Sequence, residues 1–148
     1  MALVFIPIEQ DGSYDVTVDD IPEFVPDIAG AMKGLYEKTG YKLPWVGYLV
    51  KEDDKLVGTC GYKSLPQNGR AELAYFTFPE HEGRGVATQM ASELIRLSKA
   101  ADPAVTIAAQ TLPEENASTS ILKKLGFSVV GNDIDDEVGP VWEWRLQG

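Results

Sequence analysis

Hydrophobic residues repeat along the chain at two spacings, and the change from one to the other marks the predicted elements. Short apolar runs bounded by glycine, proline or aspartate predict strands, and apolar stripes at spacings of three and four predict helices. The predicted strands are Leu3–Ile8, Trp45–Lys51, Leu56–Ser64, Ala71–Phe78, Val105–Thr111, Phe127–Val130 and Val141–Leu146. The predicted helical regions are Ile21–Thr39, where prolines delay the main helix to about Asp27, Val86 to about Asp102, and Asn116–Leu125.

The order of these elements, β-α-β-β-β-α-β-α-β-β, predicts an α/β (α+β) fold. A mixed, mostly antiparallel central sheet would be flanked by helices. Val105–Thr111 follows the helix that begins at Val86, so a right-handed crossover would place it parallel to Ala71–Phe78. The length of 148 residues is that of one domain, and we predict a single domain over residues 1–148.

A glycine-containing loop, Pro-Glu-His-Glu-Gly-Arg-Gly-Val-Ala, occupies residues 79–87 between a predicted strand and a predicted helix. Gly83 and Gly85 therefore lie where the strand turns into the helix. The first N–H groups of a helix have no internal partner, and the helix dipole favours an anion there. Glycine lets a phosphate approach the backbone, so the loop predicts a diphosphate cradle. The alternative is a tight turn that only requires glycine.

Three segments resemble a known family. The loop residues Glu82-Gly83-Arg84-Gly85-Val86-Ala87 resemble the acyl-CoA loop of the GNAT superfamily of N-acetyltransferases. Its pattern is Gln or Arg, two residues, Gly, one residue, then Gly or Ala. Gly85 and Ala87 fit this pattern, whereas Glu82 departs from it. We expect Glu82 to point outward and Arg84 to offset its charge.

The second segment, Asn-Ala-Ser-Thr-Ser-Ile-Leu-Lys-Lys-Leu-Gly-Phe at residues 116–127, resembles the Asn-x-x-Ser…Leu-x-x-x-Gly-Phe helix of one GNAT branch. That branch acetylates ribosomal-protein N-termini and many small amines. Ser118, Leu122, Gly126 and Phe127 are in register, and Asn116 lies one residue nearer the serine than is usual. The third segment, from Gly139 to Leu146, resembles the closing strand of the family. The resemblance covers roughly residues 45 to 148.

The resemblance implies an acyl-CoA-dependent N-acetyltransferase. Acetyl-CoA would be the co-substrate, and the acetyl group would pass directly to a primary amine on a small molecule or a protein N-terminus. The loop amides would hold the diphosphate, and the backbone of the strand before the loop would pair with the pantetheine arm. The residues implied in cofactor binding are Phe76, Thr77, Phe78, Gly83, Arg84, Gly85, Val86, Ala87 and Asn116.

Two residues are implied in catalysis by the same resemblance. Glu72 would face the acceptor amine and take up its proton, directly or through water. The alternative is a charge at the strand end, paired with Arg70 or Lys63. Ser118 would serve the leaving thiolate. The alternative for Ser118 is a capping role at the helix N-terminus, which either it or Asn116 could fill.

A second function remains open. Leu122 stands where the wider superfamily often has a catalytic tyrosine, and Glu82 departs from the loop pattern. Both features leave room for a non-catalytic acyl-CoA-binding or sensing module with the same fold. A P-loop is excluded because the loop lacks the Gly-Lys-Ser/Thr ending.

Charge and composition limit the binding partners, metals and cellular location that we expect. The net charge of −10 predicts that nucleic acid and anionic membranes are not partners, and it favours a cationic substrate or simply solubility. One cysteine, Cys60, and one histidine, His81, are too few for a typical zinc site, so no metal is expected. No apolar run is long enough to span a membrane, and no basic leader precedes Ala2, so we expect a cytoplasmic protein. Trp142 and Trp144 predict core packing, and the alternatives are that one of them borders the acceptor pocket or lies at a seam between two copies of the chain.

Overall fold

The computed structural model describes residues 2–146, and the order of its elements is the predicted one. The strands are β1 (Leu3–Pro7), β2 (Gly47–Glu52), β3 (Lys55–Tyr62), β4 (Arg70–Thr77), β5 (Thr106–Thr111), β6 (Phe127–Asp135) and β7 (Gly139–Leu146). The α-helices are α1 (Val25–Thr39), α2 (Val86–Ala101) and α3 (Ala117–Lys124), and a short 3-10 helix spans Pro79–His81.

The strands of this part of the chain form one sheet in the order β1-β2-β3-β4-β5-β7-β6. Every neighbouring pair is antiparallel except β4 and β5, which run parallel with Arg70 opposite Thr106. The predicted mixed, mostly antiparallel sheet and its parallel pair are therefore confirmed.

Two predicted boundaries are wrong. Helix α1 begins at Val25 rather than near Asp27, and Pro26 lies in its first turn. A proline is tolerated there because the missing N–H would have no helical partner. Strand β6 continues beyond Val130 to Asp135 because its polar second half pairs with β7. A polar segment whose sequence is typical of a loop can thus extend an edge strand when its backbone forms hydrogen bonds with the neighbouring strand.

The side chains of β4 alternate between the two faces of the sheet, as strand geometry requires. Leu73 and Tyr75 point to the face that carries α2 and α3, and the Tyr75 hydroxyl reaches the backbone of α3. Ala74 and Phe76 point to the face that carries α1, in the same row as Gly61 of β3. The two faces of one strand therefore look toward different helices.

Strands β4 and β5 separate after a short parallel ladder. Their register covers only three residue pairs, and the last is Glu72 opposite Ala108. Beyond this point β4 stays paired with β3, whereas β5 stays paired with β7. The sheet therefore opens into a V, and Glu72 lies at its apex.

Candidate active site

The V between β4 and β5 encloses a cavity of 240 Å³, which we call the central opening. It is lined by residues from β4, β5 and α3, with one lysine from the end of β3: Lys63, Leu73, Ala74, Tyr75, Ala109, Gln110, Thr111, Leu112, Asn116, Ser118 and Leu122. The central opening reaches both faces of the sheet, since Ala74 points to one face and Leu73 to the other.

A larger cavity of 510 Å³ adjoins the central opening on the α2 and α3 side, and we call it the loop cleft. It is lined by the end of β4, the glycine loop and the first turns of both helices: Tyr75, Phe76, Thr77, His81, Glu82, Gly83, Gly85, Val86, Ala87, Thr88, Ala117, Ser118, Ser120 and Ile121. Tyr75 and Ser118 line both cavities, so the two are continuous at these residues.

A third cavity of 210 Å³ lies on the opposite face of the sheet under α1, and we call it the α1 pocket. Its lining consists of Ile28, Met32, Leu35, Gly47, Thr59, Cys60, Gly61, Tyr62, Lys63, Ala74, Tyr75 and Phe76. It shares Lys63, Ala74 and Tyr75 with the central opening. The three cavities are thus in series, and Tyr75 borders all of them.

The glycine loop has the conformation that an anion cradle requires. Gly83 and Gly85 have φ angles of 75° and 84°, a region that side chains other than glycine rarely adopt. A Cβ at either position would meet no atom within 4 Å, so the space beside the loop is open. Gly85 is the N-cap of α2 without a side-chain cap, and the first turn carries no acid.

The N-terminus of α2 therefore offers unpaired donors. The helical ladder begins with the Gln89 N–H, which donates to the Gly85 carbonyl at 3.1 Å. The N–H groups of Val86, Ala87 and Thr88 precede this bond and have no helical acceptor. All three residues line the loop cleft, so the backbone there fits a phosphate group.

The side chain of Arg84 is not paired with Glu82, whose charge it was expected to offset. Its guanidinium instead pairs with Glu52 of β2 and lies 3.4 Å from the His81 ring. The cofactor-binding role implied for Arg84 stays a prediction. Glu82 lines the loop cleft, whereas Arg84 does not. The loop cleft therefore carries a carboxylate at its rim that no nearby arginine neutralises.

The backbone hydrogen bonds that β4 already makes with β3 limit which of its residues could bind an extended ligand. The Phe78 N–H donates to the Val57 carbonyl at 2.9 Å, so it is already used by β3. In an antiparallel ladder such bonds alternate, and Phe76 therefore also faces β3. The backbone groups of Phe76 and Phe78 thus face β3, and those that face the central opening belong to Thr77 and Tyr75. The cofactor-binding roles implied for Phe76 and Phe78 stay predictions.

Thr77 also brings an unsatisfied side chain to the loop cleft. Its hydroxyl oxygen is buried and has no hydrogen-bond partner in the part of the chain that the structure describes. A buried hydroxyl without a partner is costly, and a polar ligand in the cleft would satisfy it. Thr77 therefore fits the cofactor-binding role that the resemblance implies.

These features agree with a comparison to known families. Residues 13–128 match the family model described as Acetyltransferase (GNAT) domain. The chain belongs to this family. It is 36% identical over 84 residues to the uncharacterized N-acetyltransferase p20 of Bacillus licheniformis, a match that covers 56% of this chain and 47% of that protein. The chain thus spans about half the length of that relative.

Solved structures share the GNAT fold at low sequence identity. A spermidine N-acetyltransferase (SpeG) chimera from Vibrio cholerae and hSSAT superposes with a TM-score of 0.68 at 16% identity, covering 97% of this chain and 94% of that one. RimL, a ribosomal alpha-N-protein acetyltransferase in complex with coenzyme A, has a TM-score of 0.66 at 16% identity, covering 83% and 71%. These likenesses establish the fold of this GNAT domain.

Glu72 of the GNAT domain is engaged in ion pairs. Its Oε1 lies 3.2 Å from Nη2 of Arg70, and its Oε2 lies 2.6 Å from Nζ of Lys63, outside hydrogen-bond geometry. Its side chain is only 11% exposed. Both partners named in the sequence-based alternative are therefore in place, and proton uptake by Glu72 would disrupt both pairs.

The pairs extend into a buried network. Arg70 also donates to both carboxylate oxygens of Glu143, at 2.7 and 2.8 Å. Burial opposes ionisation of Glu143, but hydrogen bonds from Arg70 and Gln110 outweigh it and hold its pKa below the usual value. The apex of the V is thus fixed by charged groups on β4 and β7 and by the amide of Gln110 on β5.

Asn116 and Ser118, the two candidates for the cap of α3, have different environments. The Asn116 Oδ1 accepts from the Thr119 N–H at 3.1 Å, and the Asn116 N–H donates to the Thr119 hydroxyl at 2.9 Å. This reciprocal capping box assigns the cap to Asn116. The side chain of Asn116 is therefore engaged within α3, although the residue lines the central opening. Ser118 does not cap the helix and borders two cavities.

Tyr75 is the site residue that the sequence analysis missed. Its hydroxyl donates to the Ser118 carbonyl at 3.3 Å, across the boundary between the loop cleft and the central opening. Burial raises its pKa to about 12, so the phenol is protonated at neutral pH. Alternation within β4 places its side chain on the face opposite to that of Glu72. Leu122, which stands in the family's tyrosine position, is buried and lines the central opening.

The described residues form neither a metal-binding cluster nor a helix that could span a membrane. No group of three or more histidine, cysteine, aspartate or glutamate side chains there is arranged to hold a metal ion. None of the helices in residues 2–146 combines the length and the apolar character that a membrane span needs.

Proposed function

We propose that this protein is an N-acetyltransferase that moves an acetyl group from acetyl-CoA directly to a primary amine. The observation that carries this proposal is the series of three cavities that meet at Tyr75. A donor in the loop cleft and an acceptor in the α1 pocket would approach each other in the central opening. Membership of the GNAT family supports the same conclusion.

The donor side of the site fits coenzyme A. The N–H groups of Val86, Ala87 and Thr88 and the open space beside Gly83 and Gly85 would receive the diphosphate. The backbone of Tyr75 and Thr77 would pair with the amide groups of the pantetheine arm, as a strand pairs with its neighbour. The buried Thr77 hydroxyl would gain the partner that it lacks.

The reaction removes two protons from the acceptor nitrogen and supplies one to sulfur. The ammonium first loses a proton to water, the amine attacks the thioester carbon to form the C–N bond, and the C–S bond breaks with the electron pair leaving on sulfur. Tyr75, protonated at neutral pH, gives its proton to the leaving thiolate, with Ser118 as the neighbouring residue, and is reprotonated through water by the second proton that the nitrogen loses. Glu72 fixes Lys63 and Arg70 at the apex of the V through its two ion pairs.

Direct transfer is favoured over an acyl-enzyme on cysteine. Cys60 is buried, and burial raises the pKa of its thiol. A nucleophilic cysteine requires the thiolate form, which this environment disfavours. The acetyl group therefore passes to the amine in a single step.

The competing function is acyl-CoA binding without turnover. It is favoured by one observation: the buried Leu122 occupies the position at which a catalytic tyrosine is often found in the family. The Tyr75 phenol on β4 borders the same opening as Leu122, so it could supply the proton in place of the missing tyrosine.

A thiol-release assay separates the two functions. Acetyl-CoA is supplied with a panel of amines and with peptides that have a free N-terminus, and acetyl-CoA binding is measured in parallel by calorimetry. Amine-dependent release of free thiol, together with the acetylated product in a mass spectrum, is the expected result. Tight binding of acetyl-CoA without product from any acceptor would establish the non-catalytic function instead.

A further inference from the structure

The α1 pocket exists because three adjacent strands carry almost no side chain along one row. Gly47 of β2 lies opposite Gly61 of β3, and Gly61 lies opposite Ala74 of β4. Helix α1 crosses above this row, and Ile28 and Met32 form its wall. The result is a cavity of 210 Å³ between the helix and the sheet.

The polar atoms around this pocket are already committed to partners within the protein. The Thr59 hydroxyl donates to the Tyr48 carbonyl at 2.8 Å, and the Tyr62 hydroxyl points to the other face of the sheet, where it donates to the Leu94 carbonyl of α2. The Lys63 ammonium is ion-paired with Glu72. Among the described residues that line the pocket, none is an aspartate or a glutamate. Its interior is therefore apolar and offers no counter-charge to a buried cation.

We propose that the α1 pocket holds the apolar body of the acceptor, which is a primary amine with a single ammonium on a group about the size of a phenyl ring. This inference rests on the proposed transferase function and specifies its substrate class. A dry cavity of about 150 Å³ lined by aliphatic and aromatic side chains can hold benzene. A cavity of 210 Å³ has room for an aromatic ring and a short linker to the amine.

The position of the pocket supports this assignment. Ala74 and Tyr75 border both the α1 pocket and the central opening, so an amine attached to a seated ring would project toward the reacting position. Phe76, 49% exposed, adds an open aromatic surface to the same wall. Transfer of apolar groups from water to such a surface is favourable, and it becomes more so with each methylene that is buried.

The same pocket disfavours diamines and polyamines. A second ammonium group would lose its hydration against apolar walls without a carboxylate to pair with. Lys63, at the end of the pocket toward the central opening, would repel it as well. The net negative charge of the chain therefore does not make this pocket a polyamine site.

The first test compares kcat/KM for four acceptors with saturating acetyl-CoA. They are 2-phenylethylamine, ethylamine, putrescine and spermidine. We expect 2-phenylethylamine to exceed each of the other three by at least about 100-fold, because several apolar carbons are buried and no second charge is desolvated. Spermidine or putrescine used as well as 2-phenylethylamine would overturn the inference.

The second test changes the charge of the wall without changing its shape. Met32→Glu adds a carboxylate to the pocket, and Met32→Gln is the matched neutral control. We expect the ratio of kcat/KM for putrescine to that for 2-phenylethylamine to rise by about 10-fold or more in Met32→Glu relative to Met32→Gln, since the added charge pairs with the second ammonium. Equal ratios in two folded variants would contradict the inference.

A binding measurement keeps this inference separate from the proposed function. Calorimetry with 2-phenylethylamine and the protein saturated with coenzyme A should detect binding, and Ile28→Phe, which fills the pocket, should weaken it by about 10-fold or more. The native protein could bind 2-phenylethylamine and Ile28→Phe lose that binding while no amine is acetylated. That result would refute the transferase function alone. Absence of binding in the folded native protein would refute the assigned substrate class.

Discussion

The sharpest consequence of the site geometry concerns the glycine at the N-cap of α2. Gly85 has φ 84°, ψ 9°, and a Cβ there would meet no atom within 4 Å. The substitution Gly85→Ala therefore strains the backbone by about 1–2 kcal/mol, the usual cost of a left-handed residue, but clashes with nothing in the free protein. Its methyl group would occupy the space that we assign to the diphosphate.

Gly139 provides a matched control. It has the same φ of 84°, and a Cβ there also meets nothing within 4 Å, but it lies at the start of β7 and does not line the loop cleft. Gly85→Ala and Gly139→Ala should thus lose similar stability, about 1–2 kcal/mol, in thermal or urea melts. A difference between them in coenzyme A binding would then report the cradle and not the backbone strain.

The expected loss of affinity follows from the donors at the start of α2. A phosphate displaced by the methyl group loses at least two charge-assisted hydrogen bonds, each worth about 1.5–3 kcal/mol. The combined loss of about 3–6 kcal/mol corresponds to at least about 100-fold in Kd. Calorimetry should show this change for Gly85→Ala, a complete loss for Gly85→Val, and affinity within about threefold of the native value for Gly139→Ala. Native affinity in a folded Gly85→Val protein would refute the cradle.

Four further predictions concern single side chains. Tyr75→Phe should lower kcat by about 10² or more with acetyl-CoA affinity retained, since it removes only the proposed proton donor, and steady-state kinetics with calorimetry tests this. Ser118→Ala should lower kcat while its melting temperature stays native, because Asn116 and not Ser118 caps α3. Glu72→Gln should lower kcat/KM by less than about 10-fold at every pH, and a loss of about 10² confined to low pH would instead restore its role as base. Glu143→Gln should cost about 1–3 kcal/mol in urea melts at neutral pH, and since the folded pKa of Glu143 is depressed, this difference should shrink as pH falls below about 4.

The order of elements was predictable because each element carries its own local signal. Pro79, Gly83 and Gly85 separate an apolar run with period two from a stripe with period near four, so the strand-loop-helix unit could be recognised from the sequence alone. The cavities were not predictable in this way. They depend on where β4 leaves β5, and that point is set by the competing ladders with β3 and β7.

The same distinction between local signals and contacts with distant strands applies to individual site residues. The places of Gly85 and Thr77 at the cavity that adjoins the loop could be predicted because loop position and strand position are local properties. The direction of the Phe78 N–H could not, because it depends on the register with Val57 of another strand. Tyr75 was missed because its partner, the Ser118 carbonyl, lies 43 residues away in the sequence.

The arrangement of β4 suggests why donor and acceptor can be recognised independently in this protein. One strand supplies three different surfaces: the Ala74 and Phe76 face toward the α1 pocket, the Tyr75 side chain toward the loop cleft, and an unpaired backbone edge toward the central opening. A change in Ile28 or Met32 alters only the acceptor wall, because α1 does not contribute to the loop cleft. A change at Gly85 alters only the donor cradle. Tyr75 borders all three cavities, so in the proposed reaction it is the position at which binding of the two substrates and the chemistry between them would be coupled.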